Sequence, residues 1–459
     1  MKNFLSLLFL IFTYTSYAQS SMSTIKGYVT DEATGETMIG ANIIHVENPN
    51  VGTSTNTYGF YSLQLPKGEV TILASYLGYQ PMAFKIKLAK DTTINFKLKE
   101  GVLVDEVVIS AEREQARKNV ESTQMGIVSL PMESIKKLPV LFGEVDVLKT
   151  LQLLPGVLSG GEGTSGFIVR GGGPDQNLLL LDEAVDYNSG HLLGFFSIFN
   201  GDAIKNTTLI KGGMPANYGG RLSSVVDIQM KEGNNKKYAA EGGVGIIASR
   251  LTIEGPIVAD KSSFIVSGRR TYALDLAQPA IKNTDFAGTN YYFYDLNTKF
   301  NYKFSDKDRL YFSGYFGRDV LTFNQPKRDF KFSLPYGNST ATLRWNHLFS
   351  NKLFMNVSAI YNDYQFEFNG GQEQFVFKLF SGVRDYNGKI DFDYYYNNNH
   401  NIKFGVNYTH HKLTPNTASA QSEDITFESN LNPKYGQEIG IYALDDIKIN
   451  NKFSINLGM

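Results

Sequence analysis

Six histidines are the first residues to weigh for chemistry: His45, His191, His347, His400, His410 and His411. A hydrolytic zinc site needs imidazole or carboxylate ligands at fixed spacing, as in His-Glu-x-x-His or His-x-x-Glu. Neither spacing occurs. His410 and His411 adjoin in a segment of strand-like alternation, so their side chains point to opposite faces. The chain has no cysteine, which excludes thiol catalysis, Cys-ligated zinc and disulfide scaffolds. Glycine clusters raise the question of phosphate binding. Yet Lys211 precedes Gly212-Gly213, and no Gly-Lys-[Ser/Thr] exists. Gly243-x-Gly245-x-x-Ala248 is a lone nucleotide-like spacing with no helical pattern behind it. Tight turns explain these glycines better. No enzyme, metal or cofactor is implied.

Positions along the chain say where such residues could work. Lys2, the apolar run Phe4–Phe12 and the small residues of Ser16-Tyr17-Ala18 form a signal peptide over 1–18, cleaved after Ala18. The run is about half of the ~20 residues that a helical span needs. With 44 Lys+Arg against 45 Asp+Glu the net charge is −1, so nothing suggests a nucleic-acid binder. Residues 238–459 hold 40 of the 60 aromatics and residues 1–237 hold 20. That step places the two halves in different surroundings.

Residues 24–99 read as short strands at Thr24–Thr30, Asn42–Val46, Gly59–Leu65, Glu69–Tyr76, Ala83–Leu88 and Thr92–Leu98, a small β-sandwich. Residues 100–120 form a charged linker that opens with the apolar, extended segment Val104–Ser110. From spacing alone this segment is equally the sandwich's last strand. Residues 121–232 are mixed: a helix at Asp146–Leu154 stopped by Pro155-Gly156, then strands at Gly166–Arg170, Asn177–Leu181, Thr207–Ile210 and Ser224–Met230.

From 238 to 459 the period is two. Tyr294, Leu296, Thr298, Phe300, Tyr302 and Phe304 alternate with Asp295, Asn297, Lys299, Asn301 and Lys303. Short polar turns follow Val258, Phe304, Phe349, Tyr396 and Ile449, at intervals of 46, 45, 47 and 53 residues. Each interval is a hairpin of two long strands. Longer connections occupy the other ends, at Thr271–Thr289, Asp319–Gly337 and Lys412–Tyr435. Alternating faces, aromatics and unequal rims predict a transmembrane antiparallel β-barrel. Ten strands are too few to enclose residues 121–232, since about 22 surround a plug domain. A spanning barrel must also close. The expectation is a fragment that lacks about half of its barrel. The fold class is mainly β: an N-terminal β-sandwich, a mixed α/β domain and an apparently truncated barrel.

Gly27–Asp31, Gly40–Ile43, Gly59–Leu63 and Ser75–Tyr79 resemble the carboxypeptidase-regulatory-like domain. Gly166–Gly172 is similar to the IRG motif of TonB-dependent receptor plugs, Leu178–Asp182 to the strand that follows it, and Thr208–Ile228 to the plug's final signature. This resemblance implies an outer-membrane receptor for active uptake into the periplasm, with its N-terminal domains on the periplasmic side. The alternative is a signalling or adhesive receptor without transport. Plug-motif residues would be Arg170, Gly171, Gly172, Asp182, Lys211, Gly212, Tyr218 and Gly219. Arg170 either meets a barrel carboxylate or is a plain surface arginine in a glycine turn. Val104–Ser110 is similar to the energy-coupling box, which gives Asp105, Glu106, Val107, Val108 and Ile109 to an inner-membrane TonB-type transducer. Other partners implied are outer-membrane lipid and a small-molecule, glycan or peptide substrate. The glycan-importing SusC branch has aspartate-glycine where this chain has Asp182-Glu183, so a SusD-like lipoprotein partner does not follow.

Overall fold

The computed structural model describes residues 22–101 and 126–459, apart from 139–143, 162–164, 285–286, 326–329, 373–374, 423–425, 430 and 451. The signal segment 1–18 and the segment 104–110 lie outside the described residues.

Two sheets enclose the core of residues 22–101. Met22–Asp31 pairs antiparallel with Phe60–Pro66 and parallel with Thr92–Thr93 and Phe96–Leu98. The second sheet runs in the order Asn48–Ser54, Asn42–His45, Gly68–Ser75, Met82–Leu88. Between the sheets Ile25, Val29, Ile43, Tyr61, Leu63 and Ile72 are buried, as alternating strand faces require. Two details differ from the sequence reading. Asn48–Ser54, which Pro49 and Gly52 made look like a turn, is an edge strand, where a missing proline N–H breaks no ladder. The expected strand Thr92–Leu98 is two short pieces.

Residues 126–232 carry a five-stranded sheet, ordered Ala184–Val185, Asn177–Leu181, Ser224–Met230, Ile204–Ile210 and Ile127–Pro131. Only Asn177–Leu181 and Ser224–Met230 run parallel. The helix expected over Asp146–Leu154 covers Val147–Leu151, and the Asp146 carboxylate accepts the Lys149 N–H as its N-cap. Its buried Val147, Leu148 and Leu151 pack on this sheet together with Phe167, Leu209 and Val226.

From Ala239–Val244 to Ser454–Gly458 the strands form one antiparallel sheet joined at the five expected short turns. Ala239–Val244 is an additional strand that its two glycines conceal. The hairpins are longer than expected: Phe375–Asn397 and His400–Ser422 have 23 residues each. The supposed long connections at 319–337 and 412–435 are mostly paired strand, with Asp319 opposite Tyr336 and Leu413 opposite Lys434. A tilted strand crosses a bilayer in about 9–11 residues, so these hairpins continue well past it. Leu296, Phe300 and Tyr302 are 44, 37 and 37% exposed, whereas Asp295, Asn297 and Lys299 are 4% or less. The apolar set faces outward and the polar set faces residues 126–232, the inversion that lipid demands. Ala239–Val244 and Ser454–Gly458 are the two edges of the sheet.

The chain passes from the central domain to this sheet through Gly233. Its φ is +83°, and a β-carbon there would stand 2.4 Å from the Phe264 carbonyl oxygen. Gly233→Ala should lower the stability of the central domain by about 1–3 kcal/mol, measured as the urea midpoint for protease cutting within 126–232. An unchanged midpoint would show that this crossing is not constrained.

Candidate functional site

The polar face of the large sheet presents buried cations, and the central domain answers them with carboxylates. Arg269 donates through Nε to Asp295 of the neighbouring strand at 2.8 Å, its Nη2 lies 2.7 Å from the same carboxylate and donates to the Ser197 carbonyl at 3.0 Å, and its Nη1 reaches Glu144 at 3.4 Å. Arg250 lies 2.7 Å from Asp202. Lys299 lies 2.8 Å from the Asp182 carboxylate and donates to the Met230 carbonyl at 3.0 Å. Arg344 meets Glu183 at 3.1 Å. One position reverses the polarity. His191 of the central domain lies between Asp319 at 2.7 Å and Asp295 at 3.2 Å, stacked on Phe293 with centroids 3.9 Å apart.

Glu183 shows how the local chain serves this seam. The turn after Asn177–Leu181 has two left-handed residues, Asp182 at φ +46° and Glu183 at +75°. A non-glycine residue there costs on the order of 1–3 kcal/mol. The side chain offsets that cost, because one carboxylate oxygen accepts from Tyr58 at 2.8 Å and Asn356 at 3.1 Å and lies 3.1 Å from the Arg344 guanidinium. Burial alone would raise its pKa, but the Arg344 and Lys389 charges and hydroxyl donors hold it at about 2. Asp182 is likewise buried and likewise held low, by Lys299 and Arg344. Among the described residues no such cation touches two other carboxyls. Burial pushes Asp186 up to about 7 despite the N–H of Asn188, and Asp227 up to about 6 despite the Tyr218 hydroxyl at 3.0 Å.

The residues singled out in the sequence fall into two groups. Arg170, Gly171, Gly172, Lys211 and Gly212 gather at one corner of the central domain. Arg170 is exposed at φ +49°, and a β-carbon at Gly212 would stand 2.7 Å from its guanidinium. Among the described residues no carboxylate pairs with it. The Lys211 ammonium caps the Pro155 carbonyl at 2.8 Å. Gly171 has φ +85°, and a β-carbon at Gly172 would stand 2.5 Å from the Ser223 hydroxyl. Asp182 and Tyr218 belong to the seam. Gly219 has open space around it. Asp105, Glu106, Val107, Val108 and Ile109 lie outside the described residues. Glu144, Glu183, Asp186, His191 and Asp227 went unnoticed as seam residues, as did the cations opposite them. The one available signal was Lys299 on the polar register of a strand whose other register is apolar.

No group of three His, Asp or Glu residues is placed to hold a metal ion among the described residues. What this arrangement does is hold a domain inside a sheet by charge. Residues 119–226 match the TonB-dependent Receptor Plug Domain family. Residues 119–226 thus form a domain similar to the plugs of TonB-dependent receptors. Residues 25–109 match the CarboxypepD_reg-like domain family, a match that takes in Asp105–Ile109. TonB-dependent receptor P39 of Formosa agariphila is 28% identical over 237 residues, which are 50% of this chain and 21% of that protein. Among solved structures, the ferric enterobactin receptor of Pseudomonas aeruginosa superposes with a TM-score of 0.51 at 15% identity, over 75% of this chain and 57% of its own. Copper transporter OprC gives 0.53 at 10%, over 74 and 54%. The outer-membrane transporter YddB of Escherichia coli gives 0.51 at 13%, over 72 and 56%. These structures share the fold, a plug against a large antiparallel barrel sheet, and the matches point to the outer membrane. The chain spans about a fifth of the P39 relative and little more than half of the solved receptors.

A buried ion pair gains little net stability, because desolvation offsets the attraction, but removing one partner costs about 3–5 kcal/mol. Arg344→Met should therefore loosen the plug by about that amount. Adding Glu183→Gln should recover most of the loss. Urea titration of plug protease sensitivity in the two single variants and the double variant checks this. Additive losses would mean that the two side chains act independently.

Proposed function

We propose that this chain serves active, TonB-dependent uptake across the outer membrane, with its N-terminal domain in the periplasm. The observation that carries the reading is the seam. Buried ion pairs and hydrogen bonds fix the plug in one position, and only small apolar contacts, at Tyr315 and at Phe196 with Tyr291 and Phe293, would have to part for it to leave the barrel. An outer membrane has no nucleotide supply of its own, so the work of displacing a plug has to come from a partner anchored in the inner membrane. The segment Asp105–Ile109, placed between the regulatory-like domain and the plug, is the proposed handle. An extended segment pairs with a partner's sheet edge through main-chain hydrogen bonds. Val107 and Ile109 would then share one face, with Glu106 and Val108 on the other. The barrel rims support this orientation: residues 22–101 lie against the short turns at 350–352 and 397–399, and short turns are typical of the periplasmic rim. Substrate bound outside would pass inward beside the displaced plug.

Proline is the informative substitution in the handle, because it removes one N–H and fixes φ. Val107→Pro should abolish binding of the receptor to the purified periplasmic domain of the cell's TonB-type transducer. Val107→Ala, which keeps the donor, should stay within a few-fold of the parent. Equal binding by the proline variant would remove this segment from the mechanism.

A further inference from the structure

We infer that residues 22–101 act as a gate, closing the periplasmic exit of a cavity between plug and barrel with Tyr58 as the stopper. The cavity, of about 410 Å³, runs between Tyr218 and Asp227 of the plug and Lys389 and Tyr442 of the barrel. At one end its wall is neither plug nor barrel. It is Ile39, Thr57 and Tyr58 of the N-terminal domain. That end is the periplasmic one: Tyr58 stacks on Phe354 with centroids 5.3 Å apart, and Phe354 follows the short turn at 350–352 directly.

The domain is docked there by shape and chemistry as well as by its tether. Tyr28 and Phe60 are buried against Leu348, Phe354 and Tyr395 of the barrel, and the Arg309 guanidinium lies 3.7 Å from the centroid of the Tyr28 ring. Around this apolar centre is a polar rim. The Gln64 backbone exchanges two hydrogen bonds with the Asn398 side chain, at 3.0 and 2.7 Å. Ser62 donates to the Asn351 carbonyl at 2.8 Å, and Asn56 donates to Asp393 at 3.1 Å. An apolar centre inside a hydrogen-bonded rim is the anatomy of a specific interface. The centre holds only five buried side chains, which suits a contact that opens and recloses. Tyr58 does more than fill space. Its hydroxyl donates to Glu183, the plug residue that also pairs with Arg344 of the barrel, so all three parts of the chain meet at one carboxylate. Withdrawing the domain removes the stopper and one of the donors that stabilise Glu183 in a single movement. The gate would thus open at the same step that frees the plug.

The inference rests on the reading that material passes along this seam, but its test measures closure alone, so its failure leaves the transport reading standing. The natural chain has no cysteine, which allows single thiols to be placed at will. Gln229 lines the cavity. The full chain carrying Gln229→Cys would be exposed to a maleimide-poly(ethylene glycol) in outer-membrane vesicles with the periplasmic face outward. Lys67→Cys on the exposed surface of the same domain gives the rate of an open thiol. The parent Gln229→Cys should label at least tenfold more slowly than Lys67→Cys. Adding Tyr58→Ala should bring it to within a few-fold of that open rate, whereas Tyr58→Phe, which keeps the ring, should change it by less than threefold. Unchanged Lys67→Cys labelling in both backgrounds shows that the domain remains folded. Equal labelling of Gln229→Cys with and without the Tyr58→Ala substitution would overturn the inference, as would parent labelling at the open rate.

Discussion

Arg250, Lys299 and Arg344 on the inner face of this barrel sheet are buried or partly buried cations that meet carboxylates of the plug. A lysine or arginine taken out of water without a partner costs several kcal/mol, so Lys299 and Arg344 together with Asp182 and Glu183 fix where the plug sits. The same balance limits how firmly it sits. Desolvation cancels much of the attraction, so the seam gives position without a large net grip. A plug sealed by leucine and phenylalanine on all sides would be harder to move and easier to misplace. The packing observed is of the other kind. Its main apolar core lies within the plug, among Leu148, Leu209 and Val226, joined by Tyr315 of the barrel, and a smaller cluster of Phe196 with Tyr291 and Phe293 crosses the seam.

The Asp182-Glu183 turn shows how sequence and seam constrain each other. Both residues occupy left-handed backbone that a glycine would adopt freely. Glycine at 183 would relax the turn but strand Arg344. The side chain present accepts local strain and closes an ion pair that also receives the N-terminal domain through Tyr58. The departure from the aspartate-glycine pattern thus has a physical use in this molecule.

The period of two from residue 238 onward was enough to read the hairpins and which face meets lipid, because Phe300 and Lys299 cannot exchange environments. The five short turns were equally legible from their Asp, Asn and Lys residues. Hairpin length was not, since strand pairing beyond the membrane leaves no apolar signature: the stretch from Asp319 to Gly337 reads as loop and pairs as strand. Ala239–Val244 was hidden by glycines, and Asn48–Ser54 by a proline that an edge tolerates. Of the seam, only Asp182 and Tyr218 were marked beforehand. Lys299, the partner of Asp182, comes from a strand more than 100 residues away, and no local pattern links Glu183 to Arg344 or His191 to Asp319. The docked position of residues 22–101 had no signal in the sequence at all.

The central claim is that buried charge sets the hold on the plug, and pH reads it directly. Asp186 and Asp227 keep their protons to about 7 and about 6 in the folded plug, while the unfolded chain loses them near ~4. Folding is therefore progressively disfavoured as pH rises through that window. His191 adds the same sign: burial opposes its charge, yet Asp319 and Asp295 raise its pKa, so its contribution is present at low pH and lost as pH rises. Glu183, held at about 2, is ionised throughout this range. The decisive measurement is the force needed to extract the plug, pulled by its N-terminal end from receptor held in a lipid bilayer, at pH 5 and at pH 8. The account predicts that the plug leaves in a step separate from barrel unfolding, at a lower force at pH 8 than at pH 5. Extraction at equal or higher force at pH 8, or a single event in which plug and barrel unfold together, would contradict it.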